Sequence, residues 1–186
     1  MLGLIDESTP IGPLGVHYVI SSAVIIEDRE GARTRLEKIV EGRVKPFHWS
    51  TEGTEKRAAM LECCGALPLS IFTVIHGPVG AKRQNVARAT SLKAILRLMN
   101  ENGVEEILIE SRGPQDVDDR RTIIAAQHEG IVGNLSYAFE TKAEPLLWLP
   151  DAVAGIYSEA ELSKTDAAET LLSLQQQVAM IEVMRV

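Results

Sequence analysis

The chain is poor in aromatic residues, which make up 4% of its 186 positions. With so few rings, we expect a core built mainly from aliphatic side chains. No apolar run approaches the ~18 residues that a membrane-spanning helix needs, which argues against insertion in a bilayer. The first residues reach an acid at Asp6 without a basic leader, so we expect no signal peptide and a cytoplasmic protein.

Cysteine is also scarce, and the two cysteines, Cys63 and Cys64, are adjacent. On the helix predicted there, neighbouring side chains point about 100° apart, which disfavours both a disulfide and a shared metal. We therefore expect buried thiols in a reducing compartment. Zinc-ligand spacing and a Gly-x-Ser-x-Gly elbow are both missing. The stretch from Gly77 to Lys82 fails the phosphate-loop pattern, since its glycines are three apart and no Ser or Thr follows the lysine.

Basic residues are outnumbered, with 19 Lys and Arg against 26 Asp and Glu and a net charge of -7. This balance argues against a large nucleic-acid surface, because phosphate neutralisation needs clustered cations. A local patch is still compatible with it. If a helix begins near residue 82, four cations fall within about 100° of one face: Lys82, Arg83, Lys93 and Arg97. Two interpretations stay open for this stripe, a nucleic-acid contact or a solvated helix face, and the same two apply to a second basic stretch over 29–45 that includes Arg43.

Strand and helix patterns alternate through the second half of the chain, which predicts a mixed α/β sheet covered by helices. The predicted strands cover 2–5, 16–26, 69–75, 104–109 and 137–140, with an extended segment at 47–50 and a loop at 76–80. The predicted helices cover 29–42, 54–65, 83–102, 116–129, 149–159 and 166–184. Without repeats or a clear linker, we expect one domain over 1–186.

The last predicted helix is amphipathic, with Leu171, Leu174, Val178 and Ile181 on one side. An apolar stripe of this kind would serve a homodimer or a partner helix.

Three acidic residues occupy informative positions: Asp6 and Glu110 close predicted strands, and Asp151 opens a predicted helix. A carboxylate at the end of a buried strand is costly unless something pairs with it. Brought together, the three would form an oxygen-ligand site for a hard divalent cation. Each also has an ordinary explanation: a turn at Asp6, a pairing of Arg112 with a nearby acid beside Glu110, and the favourable dipole of a helix start at Asp151.

The segments around these acids carry a resemblance. They are Asp6-Glu7-Ser8, Ile109-Glu110-Ser111-Arg112 and Pro150-Asp151-Ala-Val-Ala-Gly155. In them the chain resembles domain-of-unknown-function family 3800, whose pattern opens Asp-Glu-Ser-Gly and later carries Ala-Asp-Leu-(Val or Ile)-Ala-Gly. The resemblance runs from residue 1 to about residue 158. The chain departs from the pattern at Thr9, where Gly is usual, at Glu110, where Asp is common, and at Pro150, where Ala is usual.

The resemblance implies an RNase H-like fold, with a mixed five-stranded sheet flanked by helices. It also implies a site for two Mg²⁺ or Mn²⁺ ions about 3.5–4 Å apart, with Asp6 as the bridging ligand and Glu110 and Asp151 as flanking ligands. Glu7 would be a further catalytic acid only if the strand ended before it, because adjacent strand residues point to opposite faces. His48 would act as an acid–base group or phosphate contact, or would simply pack beside Trp49.

These expectations together predict a divalent-metal-dependent nuclease or phosphodiesterase acting on DNA or RNA. The alternative is a non-catalytic RNase H-like binding or regulatory protein, possibly a homodimer. A nucleotide-binding phosphotransferase is less favoured, because the chain has no convincing glycine-rich phosphate loop. The nuclease interpretation requires that Asp6, Glu110 and Asp151 lie within a few ångströms of one another.

Overall fold

The computed structural model describes residues 1–42, 45–164 and 166–186, so Arg43 of the second basic stretch lies outside the described residues. Its strands are β1 Leu2–Ser8, β2 His17–Ile26, β3 Leu69–Val79, β4 Glu106–Glu110, β5 Ser136–Glu140 and β6 Met180–Arg185. They form one six-stranded sheet in the order β5-β4-β1-β2-β3-β6. β2 runs antiparallel to β1 and β3, whereas the other neighbours are parallel. The mixed sheet predicted from the sequence is confirmed.

Within the described residues, six α-helices accompany the sheet: α1 Arg29–Ile39, α2 Thr54–Ala66, α3 Gln84–Glu101, α4 Asp116–His128, α5 Trp148–Glu161 and α6 Ala167–Gln177. The end of α3 matches the prediction, because Gly103 follows it with φ +72°, a conformation that favours glycine. Cys63 and Cys64 are buried, free thiols in α2. In the described part of the chain, no helix combines the length and apolarity needed to cross a membrane.

The helices cover both faces of the sheet. α3 and α4 pack on one face, and α1, α2, α5 and α6 on the other. Alternate residues of a strand point to opposite faces, so Leu2 and Leu4 face α5 whereas Ile5 faces α3. The core is mostly aliphatic, as predicted, but two of the few aromatics, Phe47 and Phe72, lie fully inside it.

The C-terminal segment departs from the prediction. The helix predicted over 166–184 ends at Gln177, and the chain continues as β6 beside β3. We attribute the change to the β-favouring Ile and Val residues at 181 and 183, which gain backbone hydrogen bonds at an open sheet edge. Leu174 and Val178 are buried, and Leu171 and Ile181 pack against the same core. The stripe predicted for a homodimer or partner helix is therefore occupied within the chain.

Two shorter predictions also need correction. The loop predicted over 76–80 is mostly strand, because β2 is long enough to pair with β3 as far as Val79. The segment predicted as extended over 47–50 enters a single 3-10 turn, Trp49–Thr51. This turn directs the Trp49 N–H toward Asp151, where it donates a hydrogen bond.

Candidate active site

Two of the predicted acids lie side by side on neighbouring strands inside the sheet. β1 and β4 are parallel, and Ile5 is in register with Ile109, so Asp6 and Glu110 are the next residues on neighbouring strands. Leu4 precedes Asp6 by two positions and faces α5, which puts the Asp6 side chain on that same face. Asp151 lies in the first turn of α5. We call Asp6, Glu110 and Asp151 the acid cluster.

A lysine lies at the centre of the acid cluster. The Nζ atom of Lys142 is 3.6 Å from Asp6 Oδ2 and 3.5 Å from Glu110 Oε1, and it donates a hydrogen bond to Asp151 Oδ1. One ammonium group is therefore shared by three carboxylates from β1, β4 and α5. Lys142 was not predicted from the sequence as a site residue. The sequence feature that could have identified it is its position two residues beyond the C-terminal end of β5. Asp6 and Glu110 lie at the same end of the sheet.

Asp151 is also held by the segment before α2. Its Oδ2 atom accepts a hydrogen bond of 2.7 Å from the Trp49 N–H. Its Oδ1 atom lies 2.8 Å from His48 Nδ1, which is in turn 3.0 Å from the Lys142 ammonium. His48 thus joins the acid cluster while its side chain remains 47% exposed. The predicted acid–base or phosphate-contact role of His48 stays a prediction.

Trp49 owes its position to a glycine on α5. Gly155 lies about one turn beyond Asp151, on the same side of the helix. A Cβ atom at Gly155 would lie 2.3 Å from Trp49 Cδ1, so only glycine lets the ring approach this closely. The Arg57 guanidinium covers the ring at 4.6 Å and donates to the Trp49 carbonyl at 2.9 Å. The Asp and the Gly of the Pro150–Gly155 motif therefore both contact the 48–49 segment.

The charges of the acid cluster depend strongly on one another. Burial and a hydrogen bond shared with Glu110 raise the pKa of Asp6 well above its ordinary value, although Lys142 opposes the change. Burial alone would raise the pKa of Asp151, but the His48 hydrogen bond and the Lys142 ammonium outweigh it and lower that pKa. Burial would lower the pKa of Lys142, but Asp6 and Asp151 raise it. Lys142 is consequently held as a cation.

Glu7 lies on the other face of the sheet. Because β1 continues through Ser8, Glu7 points toward α3 rather than toward the acid cluster. It forms ion pairs with Arg88 and with Arg112, the latter at 3.1 Å. Arg88 also binds Asp119 through two hydrogen bonds of 2.9 and 2.7 Å. We call Glu7, Asp119, Arg88 and Arg112 the arginine cluster.

The predicted basic stripe is not brought to the acid cluster's face. Lys82 and Arg83 lie in the turn before α3, and Lys93 and Arg97 on α3, which packs on the face opposite α5. Lys82, Arg83 and Arg97 are exposed. Lys93 pairs with Glu129 at 2.6 Å. Nucleic-acid binding by the stripe stays a prediction.

The structure gives evidence both against and for a metal ion in the acid cluster. Among residues 1–42, 45–164 and 166–186, no group of three or more His, Cys, Asp or Glu side chains is arranged to hold a metal ion. The acid oxygens instead surround the Lys142 ammonium. Three carboxylates are nevertheless the donor set that Mg²⁺ and Mn²⁺ prefer, and Asp6 is only 6% exposed. The three carboxylates suit such an ion, but in this structure the Lys142 ammonium lies between them.

Comparison with solved structures identifies the fold. The chain is similar to a chain in the structure of the PCNA:RNase HII complex from Archaeoglobus fulgidus, with a TM-score of 0.57 and 15% identity over 91% of this chain and 77% of that chain. It is similar to ribonuclease H2 from Pyrococcus horikoshii OT3, with a TM-score of 0.53 and 16% identity over 91% and 74% of the two chains. A glutamine-to-alanine mutant of Bst-RNase HIII gives a TM-score of 0.52 and 12% identity over 90% and 54%.

The chain therefore has an RNase H-like fold. This confirms the predicted fold class, with one strand more than the five expected. No family model matches the chain, and no curated protein matches it in sequence. The resemblance to family 3800 stays a prediction.

Proposed function

We propose that this protein is a divalent-metal-dependent nuclease or phosphodiesterase of the RNase H-like type, acting on DNA or RNA with Mg²⁺ or Mn²⁺. The observation that carries the proposal is the convergence of Asp6, Glu110 and Asp151 on one cation position. The names of the similar structures, RNase HII, ribonuclease H2 and RNase HIII, support it. Because a fold supports many functions, the acid cluster carries more weight than the fold.

In this proposal, Asp6, Glu110 and Asp151 hold the metal and are the catalytic carboxylates. A bound divalent ion would stabilise the attacking and leaving oxygens at a phosphodiester. Trp49 fixes the orientation of Asp151 through its backbone N–H. His48, half exposed and hydrogen-bonded to Asp151, is the side chain best placed to meet a phosphate arriving from solvent.

Nucleic acid is the proposed partner. Lys82, Arg83, Lys93 and Arg97 would follow its backbone, although α3 lies on the face away from the acids. A nucleic-acid strand bound at the acid cluster would have to pass around the edge of the β-sheet to reach these four cations. We also propose, on the three sequence motifs, that the chain belongs to family 3800.

The test is a cleavage assay on wild type and Asp6→Asn with labelled single-stranded DNA, duplex DNA, RNA and an RNA–DNA hybrid. Asp118→Asn is the matched control, because Asp118 is exposed on α4 and pairs only with the nearby Arg121 in the contacts described. We expect Mg²⁺- or Mn²⁺-dependent cleavage by wild type and control. The Asp6→Asn rate should fall about a hundredfold or more, since even groups behind metal ligands contribute ten- to hundredfold. Absence of cleavage by wild type, or equal cleavage by Asp6→Asn, contradicts the proposal.

One observation favours the rival function. The Lys142 ammonium neutralises part of the acid cluster without any metal, as would suit a non-catalytic RNase H-like binding or regulatory protein. Such a protein would bind nucleic acid or a protein partner without cleaving, and its binding would survive both EDTA and Asp6→Asn. The cleavage assay, repeated as a binding assay in EDTA, separates the two.

A further inference from the structure

We propose that Lys142 is an internal cation that competes with the divalent metal for the acid cluster, so that metal binds only as the Lys142 ammonium moves away. The inference rests on the proposed metal site and adds a residue that sets its affinity. It predicts that the wild-type site binds metal weakly and that removal of one positive charge strengthens binding.

The geometry places the ammonium where an ion would lie. Lys142 Nζ reaches one carboxylate oxygen of each acid: Asp6 Oδ2 at 3.6 Å, Glu110 Oε1 at 3.5 Å, and Asp151 Oδ1 by a hydrogen bond. A metal bound by the same oxygens would overlap this position. Lysine and metal are therefore alternative occupants of one place.

The rest of Lys142 is suited to such an exchange. Its backbone is fixed, because the Trp148 Nε1–H donates to the Lys142 carbonyl at 2.8 Å. Its side chain is a flexible four-carbon stem with a compact, strongly hydrated charge, and it is 16% exposed. The contacts described for the ammonium are with the acid cluster and His48. The side chain can thus leave these groups for solvent when a metal ion takes its place.

Charge balance also favours exchange over a permanent ion pair. Three buried or half-buried carboxylates surround one ammonium, and a buried charge is stable only when it is compensated. The arginine cluster, by contrast, sets two guanidinium groups against two carboxylates. A divalent ion supplies one more positive charge than Lys142 and would neutralise the acid cluster more fully.

The test is Mn²⁺ titration by calorimetry, together with the Mn²⁺-induced rise in Tm, on wild type, Lys142→Met and Lys142→Gln. Lys164→Met is the control, because Lys164 is an exposed lysine paired with Glu159 outside the acid cluster. We expect both Lys142 variants to bind Mn²⁺ about tenfold more tightly, because the ion no longer has to displace an ammonium held by the carboxylates of the acid cluster, an attraction of this order for charges about 4 Å apart. Without metal, their Tm should fall, and Mn²⁺ should raise it more than in wild type and control.

Equal or weaker Mn²⁺ binding by both Lys142 variants overturns the inference while leaving the metal site in place. Tighter binding without cleavage by any of the proteins supports the inference and contradicts the nuclease proposal. Absence of Mn²⁺ binding by all four proteins overturns the inference together with the metal site on which it rests. The Gln variant keeps a polar side chain, so that a folding defect of Lys142→Met does not decide the result.

Discussion

Asp6 and Glu7 are neighbours in the chain, yet they belong to two ionic clusters with different chemistry. Asp6 faces α5 and shares one ammonium with Glu110 and Asp151. Glu7 faces α3 and lies between two guanidinium groups, one of which binds Asp119 in a bidentate pair. The acid cluster has more negative than positive groups, whereas the arginine cluster is balanced.

This difference in charge balance distinguishes a candidate binding site from a structural cluster. The two guanidinium groups and two carboxylates of the arginine cluster balance one another in charge, so we interpret this cluster as structural. An excess of buried carboxylates is costly, and the raised pKa of Asp6 reflects that cost. We interpret the acid cluster as a place that gains from an added cation.

The largest effect should come from breaking the arginine cluster. Arg88→Met leaves Asp119 buried without its bidentate partner and weakens the hold on Glu7. Loss of one partner of a buried ion pair costs about 3–5 kcal/mol. We expect a loss of this order in the free energy of unfolding, measured by urea denaturation. Arg121→Met, which breaks an exposed pair with Asp118, should show no measurable loss, and a similar loss in both variants would contradict a structural role for the cluster.

An intermediate effect should follow a change in the support of Asp151. In Gly155→Ala, the added methyl group meets the Trp49 ring and must displace it. Overpacking of this kind costs about 1–3 kcal/mol, and displacement of Trp49 weakens its N–H bond to Asp151. Urea denaturation and tryptophan fluorescence measure both consequences. Gly80→Ala is the matched control, since its added Cβ meets no neighbour within 4 Å; an unchanged Trp49 environment in Gly155→Ala would contradict the account.

The smallest effect is the pH dependence of the metal-free protein. The pKa of Asp6 is raised in the folded state by burial and by Glu110, so between its unfolded and folded pKa values the folded state binds more protons. Stability contributed by Asp6 is therefore lost as pH rises above about 3.8, with a slope of at most about 1.4 kcal/mol per pH unit. Urea denaturation from pH 3.5 upward should show this loss in wild type and less of it in Asp6→Asn. An identical pH slope in the two proteins would contradict the assignment.

Much of this arrangement is predictable from the sequence. Period-2 alternation is enough to predict that Asp6 and Glu7 diverge if the strand continues, and β1 does continue through Ser8. The prediction that Asp6 closes this strand was therefore wrong, whereas Glu110 closes β4 as predicted. The helix predicted over 83–102 agrees with α3 to within one residue at each end, and Gly103 follows it. Local patterns of this kind depend on neighbouring residues, which the sequence displays directly.

The missed features depend on contacts between distant segments. Lys142 enters the site because β5 pairs with β4, a pairing that no local pattern reveals. The helix predicted over 166–184 ends early because residues 180–185 pair with β3 as a further strand of the sheet. Arg88 is not among the residues of the predicted basic stripe, and the structure shows it bound to Glu7 and Asp119.

The most direct test is Mn²⁺ binding by calorimetry to wild type, Asp6→Asn and Glu7→Gln, each checked for folding by circular dichroism. The two substitutions remove one charge from adjacent residues on opposite faces of the same strand. We expect weak binding by wild type, retained by Glu7→Gln and lost by Asp6→Asn. Loss in Glu7→Gln with retention in Asp6→Asn, or no binding by wild type at millimolar Mn²⁺, would contradict the assignment of the acid cluster as a metal site.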